Sequence, residues 1–110
     1  MQPSQVKDFF PSVEQSIDNA AELCQITNDV PDDVREHLSE LERESNRARR
    51  ILEDEDNDTR IIECIDRLEK LGDRAIQACR QAGNAIDPQV EQATQVAHDA
   101  IAELKRKMLH

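Results

Sequence analysis

Val6, Phe10, Val13, Ile17, Ala20, Cys24 and Thr27 recur at alternating steps of four and three, the interval at which side chains return to one face of an α-helix. Pro11 has no amide to donate and disfavours helical backbone at Phe10. The pattern therefore predicts a short N-terminal turn before Pro11 and a main helix over 12–27, opening near Ser12 with Gln15 three residues on. A second stripe, Val34, Leu38, Leu41, Ser45, Ala48 and Leu52, predicts a helix over 31–53. Pro31 suits its first position, Asp32 and Asp33 suit the positive end of its dipole, and Arg47, Arg49 and Arg50 suit the negative end. A third helix is predicted over 59–82 from Ile61, Ile65, Leu68, Gly72, Ala75, Cys79 and Ala82. Ile62, Cys64, Leu71, Ile76 and Ala78 widen its apolar arc to roughly 200° at 100° per residue. The fourth, over 88–108, buries Val90, Ala93, Ala97, Ile101, Leu104 and Met108. Gly83-Asn84 ahead of it supplies a left-handed stop, and Asp87-Pro88 a cap followed by a first-position proline.

Glu53-Asp54-Glu55-Asp56-Asn57-Asp58 contains no apolar residue and reads as a turn. Connections of about four to six residues between helices of matched length favour antiparallel neighbours. The expected fold is all-α, an up-down-up-down four-helix bundle forming a single domain over 1–110. The alternative is a three-helix array on which the first segment does not pack. A chain of 110 residues is long enough for one core, burying roughly 65% of the surface it exposes when unfolded.

Composition narrows the chemistry. Charged residues make up 35% of the chain, the net charge is -10, and there is no Trp or Tyr. A field of that sign repels nucleic acid and anionic membranes and attracts basic proteins. No apolar run approaches the 20 or so residues of a membrane span, and the first thirty residues carry five acids and no apolar stretch of signal-peptide kind. A cytoplasmic location is expected. Cys24, Cys64 and Cys79 are odd in number and lack a C-x-x-C pair, which predicts buried reduced thiols and neither a disulfide framework nor a zinc site.

Tests for catalytic and metal motifs fail on specific residues. Asp54, Asp56 and Asp58 match the first, third and fifth positions of a calcium loop, but Thr59 stands where a glycine is needed and Ile65 where the bidentate glutamate belongs. Di-iron bundles use Glu-x-x-His, yet Val34 precedes His37 and Gln95 precedes His98 at that spacing. A histidine phosphotransfer domain would carry Lys and then Gly three and four residues after its histidine. Here those places hold Glu40 and Leu41, or Ile101 and Ala102. No serine has a nearby base, and Gly72 and Gly83 form no phosphate loop. Arg43, Arg47 and Arg50 form a stripe best read as cross-helix ion pairing with Glu63, Asp66, Glu69 and Asp73. No catalytic, cofactor-binding or metal residue is expected, and no cofactor.

Elimination leaves a non-enzymatic helical interaction module, such as an adaptor, chaperone or regulatory subunit. Its partner would be a protein, either a second copy in a homodimer or a different chain, with no direct nucleic acid, no membrane and no small-molecule substrate. The arc of the third helix exceeds what two flanking helices usually cover, which makes Ile62, Leu71, Gly72 and Ile76 the candidate interaction residues. Gly72 also implies close approach of a neighbour, because a mid-helix glycine costs about 1 kcal/mol relative to alanine. The alternative is an acidic mimic of DNA phosphates that occupies a basic nucleic-acid-binding protein. Against it, Arg35, Arg43, Arg60, Arg67, Lys70 and Arg74 interrupt the acids.

Overall fold

The computed structural model describes residues 3–54 and 58–108, with side chains over 6–53 and 60–108. The middle of the acidic run, 55–57, lies outside the described residues. Four helices follow one another: α1 (Pro3–Ile26), α2 (Asp32–Asp54), α3 (Asp58–Ala82) and α4 (Pro88–Met108), with a 3-10 turn at Gly83–Ala85 before the last. α1 packs on α2 and α4, and α3 packs on the same two helices, which closes the four into a ring 43 × 24 × 18 Å in extent. This is the four-helix bundle, with its first helix fully engaged.

α1 departs from the expected 12–27. It runs unbroken through Pro11 from Pro3, with no separate N-terminal turn. Val6 and Phe10 are each 2% exposed and Val13 is 4% exposed, so the apolar seam continues on both sides of the proline. Pro11 itself faces outward, where its missing amide leaves only the Lys7 carbonyl without a helical donor. Interior proline costs about 3 kcal/mol, and burying Val6 and Phe10 contributes about 1.5 to 3 kcal/mol each, so packing overrides the local preference.

The helix ends explain how the bundle turns. Arg35, in the first turns of α2, donates from Nη1 to the Cys24 carbonyl at 2.7 Å and from Nη2 to the Thr27 carbonyl at 2.6 Å, closing the C-terminus of α1. Pro31 sits one residue before α2, its carbonyl accepting from the Arg35 amide at 3.2 Å. Gly83 takes the left-handed backbone that ends α3, with φ 56°. Asp87 then caps α4: its Oδ1 accepts from the Gln89 amide at 2.8 Å and its carbonyl from Val90 and Glu91. The Asp87 amide also donates to the Asp29 carbonyl at 3.2 Å, tying the α1–α2 and α3–α4 connections together at one end.

The core is aliphatic, filled by Ile17, Leu38, Leu41, Ile65, Leu68 and Ile101 among others. Cys24, Cys64 and Cys79 lie in it as free thiols. Three polar residues share it: Ser45, which lies on the predicted stripe, and Glu44 and Thr94, which the stripes left out; Thr94 is 1% exposed and donates its hydroxyl to the Val90 carbonyl at 2.7 Å. Ser45 is fully buried with no partner for its hydroxyl, and Glu44 is 8% exposed. Glu44 stands three residues after Leu41 and four before Ala48, a seam position, and that spacing is the signal that would have found it.

Candidate interaction surface

The wide apolar arc of α3 is closed mostly within the monomer. Leu71 is 8% exposed and Ile76 4% exposed, and Gly72 is buried between them. A Cβ built on Gly72 would meet Ile101 Cδ1 at 3.4 Å and the His98 ring at 3.9 Å, so the glycine lies directly under α4. Ile76, one turn on, shares that flank. Leu71 shares the opposite flank with Cys64, which meets Glu44 of α2. In a closed ring each helix has two neighbours at different angles around it, and two such contacts cover a wide arc. Of the four candidate residues, only Ile62 is exposed, at 49%.

The charged side chains also pair differently from the expectation. Lys105 of α4 reaches Glu69 at 2.6 Å and Asp66 at 3.1 Å, and His98 Nε2 meets Asp73 at 2.7 Å. These α3 acids therefore face α4, and the arginine stripe of α2 does not bridge to them. An α2–α3 bridge runs the other way, from Arg67 to Glu44 at 3.5 Å, while Arg49 turns to Glu14 of α1 at 3.3 Å. The two carboxylates hold the Lys105 ammonium above its ordinary pKa, Glu69 most strongly. Asp99 lies below its ordinary value because Gln95 and then His98 hydrogen-bond its carboxylate.

Besides Ile62, and Ile26 at the end of α1 with 71% exposure, two large apolar side chains stay exposed along α1 and α4. Phe9 is 41% exposed on α1 and Val96 52% exposed on α4. Two depressions lie along these helices and share Ser12: one of about 210 Å³ beside Phe9, Ala100, Glu103 and Lys107, the other of about 510 Å³ beside Ser16, Asn19, Glu22, Asp18 and Val96. Asp18, Glu22, Glu103 and Lys107 bring charge to this lining, and Gln15, Ser16 and Asn19 make the larger depression mostly polar around Val96. The outer faces of α2 and α3 expose Arg43, Arg47, Arg50, Glu63, Arg67, Lys70 and Arg74 beside Ile62. Phe9 and Val96 each sit one position before a seam residue, Phe10 and Ala97, and only the placement of α1 beside α4 shows that they line adjoining depressions.

Between α1 and α2 a third depression of about 340 Å³ is floored by Phe10, Pro11 and Leu52 and rimmed by Lys7, Glu14, Arg49 and Glu53. Burial raises the Glu14 carboxyl above its ordinary pKa, against the opposing pull of Arg49. Burial likewise raises all three thiols, which keeps them protonated at neutral pH. His37 is half-buried, with no partner for Nδ1. Among the described residues no three His, Cys, Asp or Glu side chains are placed to hold a metal ion, and no helix is long and apolar enough to cross a membrane. Compared with protein-family models, curated proteins and solved structures, the chain matches none of them.

Proposed function

We propose that the protein is a non-enzymatic helical interaction module that docks a protein partner on the α1–α4 face. The observation that carries this reading is that Phe9 of α1 and Val96 of α4 stay half-exposed in adjoining depressions along two neighbouring helices. Aromatic residues are enriched at interface cores, and Phe9, one of the two aromatic residues of the chain, is 41% exposed on this face. The acidic-mimic reading draws less support, because Asp66, Glu69 and Asp73 are engaged by Lys105 and His98. Three buried thiols raised by desolvation accord with a reducing, cytoplasmic setting.

A pull-down from the source cell at low and high salt, with the wild type and Val96→Glu, tests the reading. The main partner is expected to survive high salt on the wild type and to be lost from the variant, since apolar contacts are not screened. Loss of every partner from the wild type at high salt, with the variant no worse than wild type at low salt, would move the function to the acidic surface.

A further inference from the structure

Resting on the reading of the α1–α4 face as a docking surface, the groove's two ends differ in a way that specifies the occupant. At one end Lys107 Nζ stands 4.0 Å from the centroid of the Phe9 ring and 3.4 Å from the Glu103 carboxylate. An ammonium from the chain itself thus lies between an aromatic face and a carboxylate, an arrangement in which both neighbours attract the cation. At the other end the corresponding cation is missing. Val96 is half-exposed, Asp18 and Glu22 line the same depression, and neither carboxylate has an ion pair or hydrogen bond among the described residues.

We propose that this groove docks a basic amphipathic helix of another protein, its apolar side chains on Val96 and Ala100 and its Lys or Arg side chains set against Asp18 and Glu22. Small side chains at Ser12, Ser16 and Ala100 leave room for a helix to lie along the groove. Val96 and Lys107 are three turns apart on α4, about 16 Å, which corresponds to anchors at i, i+4, i+7 and i+11 of the partner. Because Lys107 already occupies one end, the partner's bases are needed only at the Asp18–Glu22 end. A second copy of this chain is a poorer occupant, since each copy carries a net charge of -10 and the like charges repel.

The test titrates the full-length protein with three synthetic peptides of about 18 residues, the length of five turns. One is built of Leu and Lys with Leu at i, i+4, i+7 and i+11, one has Glu in place of Lys, and one is a scramble of the first. Amide chemical shifts and fluorescence anisotropy are followed. The Leu–Lys peptide is expected to bind and to move amides from Ser12 to Glu22 and from Val96 to Glu103. Val96→Glu, checked for fold by circular dichroism, should weaken binding about tenfold or more. The double variant Asp18→Asn, Glu22→Gln should weaken it about two- to fivefold and flatten its salt dependence. Equal binding of the Glu peptide or the scramble, shifts confined to α2 and α3, or unchanged affinity of the double variant would each overturn the proposal. If the Leu–Lys peptide fails while Val96→Glu still loses the cellular partner, the occupant is wrong and the docking face stands. Sedimentation showing a wild-type dimer that Val96→Glu separates would make the occupant a second copy, overturning the basic helix alone. If Val96→Glu changes neither measurement, both readings fall.

Discussion

At Gly72 two effects oppose each other, and the 3.4 Å distance to Ile101 Cδ1 decides between them. An alanine methyl there makes ordinary contact while removing the mid-helix glycine penalty, so Gly72→Ala is expected to stabilise the bundle by about 0.5 to 1 kcal/mol. Leucine has to fit between Ile101 and His98, and Gly72→Leu should destabilise by about 1 to 3 kcal/mol. Urea denaturation midpoints of the two variants should fall on opposite sides of the wild type. Glu14 carries the pH dependence at this scale. Desolvation raises its folded pKa, so between the ordinary glutamate value and the raised one the folded chain binds more protons than the unfolded chain, and stability falls as pH rises through that window. Glu14→Gln removes the ionisable group, so its stability relative to wild type should improve as pH climbs from about 4 toward neutrality. A difference that stays flat or declines over that range would mean that the Arg49 pair outweighs burial.

Among the elements, α2, α3 and α4 were legible because stripe and punctuation agree. Their residues 31–53, 59–82 and 88–108 became Asp32–Asp54, Asp58–Ala82 and Pro88–Met108. Gly83 and Asp87 act through their own backbone and side chains, so their effect is local and can be read from the segment alone. Pro11 is the opposite case, a local breaker overruled by Val6 and Phe10 reaching a core that distant helices build. It follows that Pro11→Ala should lengthen no helix and should stabilise the protein by about 1 to 3 kcal/mol, measured by thermal or chemical denaturation. The candidate face was not legible for a related reason. Whether Ile76 is covered and Val96 is not depends on which helices lie beside them, and periodicity fixes a residue's angle on its own helix without naming the neighbour.

For the whole molecule, the ring of four helices places Cys24, Cys64 and Cys79 at 3%, 5% and 0% exposure, each with a raised pKa. Alkylation needs an accessible thiolate, so in the native protein all three should react with iodoacetamide far more slowly than in denaturant. Fast native labelling of any one would show that its helix opens independently of the rest. Charge is distributed at the same scale, with α3 acids held to α4 by Lys105 and His98 and Glu14 of α1 held to α2 by Arg49. The Arg35 fork carries a further consequence. α1 has no basic residue in its last turn, and no non-glycine residue in the described backbone has positive φ, so nothing of those two kinds marks a stop at its own end. The terminating group arrives from α2, eleven residues after Cys24 and eight after Thr27. Carbonyls at the end of the first helix are therefore satisfied from across the hairpin and not from within the segment. An insertion between Thr27 and Pro31 that carried Arg35 out of reach, with every core contact left in place, would hand the Cys24 and Thr27 carbonyls to water and should loosen the last turn of α1.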